Sequence, residues 1–568
     1  MTTSTAPTES VAEAYLALLR DRGVEHIFVN GGTDFAPVAE AYARSEKVDL
    51  TLPLPVVVPH ENVAVGMAHG AYLITGKPQV VMLHVSVGSA NAVMAIMNAA
   101  RDRAPILLTA GRTPLFEQGA LGARNGQIHW AQEMFDQAGM LREMLKWDYE
   151  LRDGLQVEGV VDRAISVAMS EPKGPIYLTL PREVLARPLE GFILGPSSQN
   201  AASAPGVLPS AVDELADLLA GAHLPVIVAS AATAEPGAFA ALQALCNDYA
   251  IGVLENAPRR VNASSVNPMH LGYGTSSVFG DADLLVFAEC DVPWIPSMEE
   301  PPADTTIVQC GVDPVFSRYP IRTHRSDLLV TGSMRQLFVD LSAALEARKD
   351  KIDPGRLDRI ARLASDRRDL RRSALQLQVE AKSGITKAFM NSVLAKVRPP
   401  EAIVVDEYWA RADCLQSTVE GTEFHNPPAG GLGWGLPAAL GVQLESPGRT
   451  VISTLGDGAY MFANPPACHQ VMSTYQLPVL TIVCNNGRWG AVEGSARGMY
   501  PTGHTAQAGS SVLAALDQSH AFELYAEATG GYGEKVATRD EFEPALVRAL
   551  EVVSREHRHV VLNVLSED

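Results

Sequence analysis

Between Arg449 and Gly490 the chain reads RTVISTLGDGAYMFANPPACHQVMSTYQLPVLTIVCNNGRWG. Two apolar runs without polar alternation, the pattern of strands buried on both faces, flank a helical pattern. The first runs into Gly456-Asp457-Gly458 and the second into Asn485-Asn486-Gly487. Parallel strands joined by a right-handed helical crossover end at the same sheet edge, so Asp457 and Asn486 are expected to meet there. A carboxylate and an amide oxygen, with positions left open, suit Mg²⁺ that completes its shell with phosphate and water. Gly456 and Gly458 let the backbone approach a diphosphate, and a helix expected to begin near Asn464 would direct amide groups toward it. Either motif alone reads as a tight turn. At this spacing, each directly after an apolar strand, the two point to a metal–diphosphate site.

Outward from that segment, short Val/Ile/Leu runs alternate with Ala-rich helical patterns throughout, which predicts an α/β protein of three doubly wound parallel-sheet domains. A length of 568 residues agrees, because one core rarely grows beyond about 250–300 residues. The first domain is read as residues 1–187, with strands at Val56–Val58, Val80–Leu83 and Ile106–Ala110. Residues 188–207, rich in Ser, Pro and Gly, read as a linker. A central domain spans 208–345, an exposed helical connector dense in Arg and Asp spans 347–387, and the last domain fills 388–568.

The formal charge of −20 repels nucleic acid and anionic membranes, so small molecules are the expected partners. No basic and apolar leader opens the chain and no run reaches the ~18 apolar residues of a membrane span, so a cytoplasmic location is expected. Cys246, Cys290, Cys310, Cys414, Cys468 and Cys484 lack zinc-ligand spacing and read as buried thiols.

A second motif lies in Leu54–Arg112, LPVVVPHENVAVGMAHGAYLITGKPQVVMLHVSVGSANAVMAIMNAARDRAPILLTAGR. Together with Gly456-Asp457-Gly458 and Asn485-Asn486, it resembles the thiamine diphosphate enzymes of the decarboxylase and acetolactate synthase superfamily, over nearly the whole chain. The resemblance makes the first domain pyrimidine-binding and the last diphosphate-binding, and carries Mg²⁺ ligation onto Asp457, Asn486 and the backbone carbonyl of Arg488. Glu61 becomes the activating carboxyl group. Thiamine chemistry needs such a group at N1′ of the aminopyrimidine, because only the resulting imino tautomer lets the 4′ nitrogen take the C2 proton. In Ala429–Gly441, AGGLGWGLPAALG, a dinucleotide fingerprint is rejected because Asn426-Pro427-Pro428 stands where a strand is required. By resemblance Leu432 wedges between the cofactor's rings and Gly433 brings a backbone group to the pyrimidine, with Gly456, Gly458, Ala459, Trp489 and Gly490 as further cofactor contacts. Because Glu61 and Asp457 lie in different domains, which in this family come from different subunits, a homodimer is the minimum assembly and a homotetramer is expected.

The central domain resembles the family's cofactor-free or adenine-nucleotide-binding domain. No complete glycine fingerprint follows LPVIVASAATAE, which disfavours FAD and leaves ADP open. Asp313 is a candidate ribose contact, while Arg259, Arg260 and Arg411 are candidate phosphate contacts or ordinary surface charges.

Specificity is read from Glu493, one to two helical turns past the metal, and from Gln127-Ile128-His129 with Gln132-Glu133 in the first domain. This set looks most like the 2-hydroxyacyl-CoA lyase branch, which yields formyl-CoA and a ketone or aldehyde. Gln127, His129, Glu61 and Glu493 are then the catalytic residues, with Glu493 taking the substrate hydroxyl proton as the carbon–carbon bond breaks. An acetolactate synthase or 2-oxo acid decarboxylase would use the same Glu61, Asp457 and Asn486. A non-catalytic homologue is the third reading, and it would lose the activating Glu or the metal ligands, all of which this sequence keeps.

Overall fold

A computed structural model describes residues 8–568 apart from 190, 276–277 and 509–511. Eighteen strands among the described residues form three six-stranded sheets whose strand pairs are all parallel. The first holds β1 (His26–Val29), β2 (Leu54–Val57), β3 (Gln79–Leu83), β4 (Ile106–Arg112), β5 (Trp147–Glu150) and β6 (Ile176–Pro181). The second holds β7 (Pro225–Ala229), β8 (Gly252–Glu255), β9 (His270–Tyr273), β10 (Leu284–Ala288), β11 (Thr306–Gly311) and β12 (Leu328–Thr331). The third holds β13 (Ile403–Glu407), β14 (Glu423–His425), β15 (Val451–Gly456), β16 (Val479–Asn485), β17 (Tyr532–Val536) and β18 (Val560–Leu565).

The outer two sheets share one topology. Their orders, β2-β1-β3-β4-β6-β5 and β14-β13-β15-β16-β18-β17, superimpose strand for strand, whereas the central sheet runs β12-β11-β10-β7-β8-β9. The central strands β3, β4, β15 and β16 are rich in Val, Ile and Leu because both of their faces are covered.

Seven helices position the groups discussed below: α1 (Glu61–Thr75), α2 (Val93–Arg101), α3 (Arg356–Glu380), α4 (Gly435–Glu445), α5 (Asp457–Phe462), α6 (Pro465–Tyr475) and α7 (Gly490–Met499). Helices α1 and α4 pack into one core that joins the outer domains. A Cβ on Gly70 would stand 1.9 Å from the Ala438 carbonyl oxygen, and one on Gly441 would stand 1.9 Å from that of Met67. Only glycine lets the two backbones approach so closely.

The connector is helical over α3, as expected, but it is anchored as well as exposed. Arg356 is fully buried and donates to the carbonyls of Leu219 (2.6 Å), Ala222 (3.1 Å) and Tyr249 (2.6 Å) in the central domain. Ile360 and Ala364 follow one helical turn apart on the same face. All six cysteines are buried and unpaired. Among the described residues no helix is long and apolar enough to cross a membrane.

Candidate active site

The register of the third sheet brings the two motifs together. β15 pairs with β16 so that Gly456 lies opposite Cys484, and both chains then leave the sheet at its carboxyl edge. The Gly487 N–H donates to Asp457 Oδ2 at 2.8 Å, and the Gly458 N–H to Oδ1 at 2.8 Å. Burial pushes the Asp457 carboxyl above its ordinary pKa, against the pull of these N–H groups. A divalent cation beside it would favour the ionised form. Asn486 faces the same cleft, while its neighbour Asn485 is fully buried and bonds the Gln518 carbonyl and Asn563. The second asparagine is thus the one that faces the cleft, its Oδ1 accepting the Arg488 N–H at 3.0 Å, and the first is structural.

The helix after Gly-Asp-Gly departs from expectation. A helix does open near Asn464, as α6, but the two-turn α5 precedes it and begins at Asp457 itself, with a break between them at Asn464. Asn464 takes φ +54°, a left-handed conformation open to asparagine, and Pro465 opens the next helix. The amides beside the cleft therefore belong to Gly458 and Ala459. Gly458 is obligatory for a second reason, since a Cβ there would stand 2.1 Å from the Trp489 ring.

The cleft measures about 460 Å³, and Leu432, Gly430, Tyr408, Trp409, Gly456, Asp457, Gly458, Ala459, Asn486, Arg488, Trp489, Gly490, Ala491 and Val492 line it. That volume falls in the roughly 300–1,000 Å³ range of small-molecule sites. The carboxylate, amide and backbone carbonyl of Asp457, Asn486 and Arg488 form an all-oxygen set that fits Mg²⁺, and the glycine-lined floor fits a diphosphate. Tyr408 holds φ +83°, and its hydroxyl donates to the Gly430 carbonyl at 3.2 Å. Strain of this kind at a bulky residue gathers at functional sites. Gly433 lies behind the cleft wall, its N–H donated to Glu407 at 2.7 Å.

The first sheet presents a different set at its own carboxyl edge. Glu61 opens α1 and accepts from Asn91 Nδ2 at 3.1 Å. His84 follows β3, and its Nδ1 lies 2.5 Å from Asp34 Oδ1; this bond and the nearby charges of Asp34 and Glu61 raise the imidazole's pKa. His129 is buried, and desolvation followed by the charges of Arg182, Arg124 and His84 lowers its pKa. Gln127 is exposed. His84 and Asp34 are absent from the residues singled out in the sequence, although a His directly after a central strand, like Glu61 after β2, carried the necessary signal.

Glu61 does not line the Asp457 cleft of its own chain. Nor does Glu493, although it lies on the first turn of α7. Its carboxylate is paired with Arg497 (2.6 Å) and Arg488 (3.6 Å), and the preceding Val492 faces the cleft instead.

The crevice between the central and first domains gives ADP no support. It holds a cavity of about 90 Å³, below the roughly 300 Å³ of a small-molecule site, and the Arg259–Asp102 (3.2 Å) and Arg103–Glu289 (2.8 Å) ion pairs line it. Asp313 accepts from the Ser317 N–H and hydroxyl, closing a turn, and Arg411 pairs with Asp413.

Comparison with known proteins places the two outer domains in a family. Residues 9–140 match the description "Thiamine pyrophosphate enzyme, N-terminal TPP binding domain", and residues 409–564 match "Thiamine pyrophosphate enzyme, C-terminal TPP binding domain". Benzoylformate decarboxylase of Pseudomonas aeruginosa is 26% identical over 513 residues, covering 85% of this chain and 87% of that one. The acetolactate synthase isozyme 3 large subunit of Escherichia coli is 24% identical over 591 residues, covering 98% and 94%. The structure of the thiamine diphosphate-dependent 4-hydroxybenzoylformate decarboxylase of Rhodococcus jostii RHA1 shares the fold, with a TM-score of 0.76 at 22% identity over 98% of this chain and 99% of that one. The two matched domains, carried by two outer sheets of one topology, define a thiamine diphosphate-dependent enzyme. Within that class, the chain belongs to the decarboxylase and acetolactate synthase-like superfamily.

Proposed function

We propose that the protein is a thiamine diphosphate- and Mg²⁺-dependent decarboxylase of a 2-oxo acid with a bulky apolar side group, a carbon–carbon lyase that releases CO₂ and an aldehyde. The observation that carries this reading is the cleft wall beyond the metal end. Leu432, Tyr408, Trp409, Trp489, Ala491 and Val492 make it largely apolar, with Lys387 as a cation on the same lining, and Glu493, next in sequence to Val492, is held by two arginines. A substrate carboxylate is costly to hold in apolar surroundings, and that cost disappears as it leaves as neutral CO₂.

Asp457, Asn486 and the Arg488 carbonyl hold Mg²⁺, and Gly456, Gly458 and Ala459 accommodate the diphosphate. When bound, thiamine diphosphate supplies the carbon that stabilises negative charge. Glu61 holds the proton at N1′ of the pyrimidine. His84, whose proton affinity Asp34 raises, would hold a proton ready for delivery into the cleft. Because Glu61 does not line its own chain's cleft, a second copy supplies these first-domain groups. The exposed Trp130 and Phe135 of the first domain and Met499 and Tyr500 of the last support such an apolar contact. We assign a homodimer as the minimum unit and keep the homotetramer as its extension.

The 2-hydroxyacyl-CoA lyase reading stands second, favoured by the burial of Glu493 on the turn next to the cleft. A panel of aryl and aliphatic 2-oxo acids, pyruvate and 2-hydroxyacyl-CoA thioesters, assayed with thiamine diphosphate and Mg²⁺, separates the readings. CO₂ and aldehyde from the bulky 2-oxo acids are expected. Formyl-CoA as the main product would replace this reading with the lyase, and acetolactate from pyruvate would replace it with the synthase.

A further inference from the structure

Leu432 sits in Gly-Gly-Leu-Gly, a sequence that on its own would be among the loosest in the chain, because glycine is conformationally permissive. The structure ties it down on both sides. Before it, the Asn98 side chain from α2 takes both backbone groups of one residue: its Nδ2 donates to the Gly431 carbonyl at 2.9 Å and its Oδ1 accepts the Gly431 N–H at 3.0 Å. After it, the Glu407 carboxyl at the end of β13 accepts two N–H groups, Gly433 on Oε1 and Gly435 on Oε2, both at 2.7 Å. Between those two glycines the Trp434 indole donates to His69 Nδ1 at 3.1 Å. Asn98 and Glu407 are both buried.

We propose that Asn98 and Glu407 are positioning residues that hold Leu432 in its wedge position before the cofactor arrives. This rests on the reading of Leu432 as the residue that bends thiamine diphosphate. A wedge that bends a ligand must resist being pushed back, and a loop that orders only on binding would spend binding energy on its own ordering. Here the ordering is completed in folding. The clamps draw on two domains, Asn98 from the first and Glu407 from the last, so the wedge is set by the junction between them. Close packing adds to the constraint: a Cβ on Gly431 would stand 2.3 Å from Met94 Sδ, and one on Gly433, at φ +85°, would stand 2.3 Å from the Phe462 carbonyl oxygen. With its N–H taken by Glu407, Gly433 has only its carbonyl left to offer a cofactor.

Two near-isosteric variants test the proposal. Glu407→Gln replaces one oxygen that accepts an N–H with an amide nitrogen that cannot accept, and Asn98→Asp turns the donor facing the Gly431 carbonyl into an acceptor. The first readout is amide hydrogen exchange of the peptide spanning residues 430–435 in the cofactor-free protein. Each variant should speed it by about tenfold or more while peptides from β15 and α1 keep their protection. The second is C2 hydrogen–deuterium exchange of bound thiamine diphosphate with Mg²⁺, which should slow by about 100-fold, with affinity for the cofactor changed far less. Leu432→Ala should slow C2 exchange equally, and adding Glu407→Gln to it should slow it no further. Unchanged amide protection in both variants, wild-type C2 exchange in them, or additive losses in the double variant would each overturn the clamp. Wild-type C2 exchange in Leu432→Ala alone would instead remove the wedge reading, and the proposal with it.

Discussion

The first and third sheets share one strand order, yet their carboxyl edges are furnished differently. In the function proposed above, edge one carries the groups that move protons, Glu61, His84 with Asp34, and His129. Edge three carries groups that hold charge still, Asp457, Asn486 and the amides around Gly458. The difference lies in the loops that leave the strands: His84, Asp457 and Asn486 follow their strands directly, whereas Glu61, Asp34 and His129 stand further along the loops after β2, β1 and β4. A parallel sheet fixes where loops emerge but leaves their chemistry open, and ligands gather at that edge for this reason. The central sheet, with another order, closes its edge with Arg259–Asp102 and Arg103–Glu289.

Changes at the two edges should therefore fail in different ways. The largest effect is expected at Glu61: Glu61→Ala should lower C2 hydrogen–deuterium exchange of bound thiamine by about 10³-fold or more, with cofactor still bound. Unchanged exchange would erase the distinction between the edges. Asp457→Ala should act on binding instead, weakening Mg²⁺-dependent thiamine diphosphate affinity beyond the roughly 10–100-fold that losing an outer-shell partner costs. Titration calorimetry reads this, and chelation of Mg²⁺ should mimic it. Mixing the Glu61→Ala and Asp457→Ala chains should restore part of the turnover, because one assembled cleft then regains both edges.

His84 comes next. His84→Ala should slow turnover by about 10²-fold without changing cofactor affinity. The Asp34 bond raises the folded-state pKa of His84, so its protonated form persists above the ordinary imidazole range and is lost as pH rises through the raised value. Asp34→Asn should move that alkaline limb of the pH–rate profile to lower pH; a limb that stays put would take His84 out of the proton path.

Glu493→Ala should have a small effect on CO₂ release, within about fivefold, since Val492 and not Glu493 faces the cleft. A loss of about 100-fold would restore Glu493 as a catalytic base and with it the lyase reading. The smallest effect on activity is expected from pH acting through Glu407. Burial lifts its carboxyl to about 8, against the N–H groups of Gly435, Gly433 and Trp434. Between the ordinary value near 4.5 and about 8 the folded chain keeps a proton that the unfolded chain has released, so stability falls as pH rises across that window. Urea unfolding of wild type and Glu407→Gln at both ends of the window measures the slope, which the variant should flatten.

Much of this is legible in the sequence itself. The apolar strands were readable because parallel sheets bury both faces, and Asp457 and Asn486 were readable because they follow such strands directly. Asp34 was not, because its role depends on β1 lying beside β3, a pairing between distant segments that no local pattern encodes. Glu407 hid for a similar reason: its partners, Gly433 and Gly435, lie more than twenty residues on. The start of α5 was misplaced because Pro465 is a strong helix-opening signal, and it does open a helix, the second of two. Glu493 was placed on the right turn, but the arginines that engage it act through space and helix phase.

The glycine crossing of α1 and α4 has a mechanical consequence. Glu61 begins α1 and the loop bearing Leu432 runs into α4, so backbones touching at Gly70 and Gly441 couple the two in one rigid lever. In the paired assembly proposed above, the ends of that lever serve different clefts. Tightening of one cleft around its contents would then be transmitted along the lever to the other, and the two halves of a pair would not work independently.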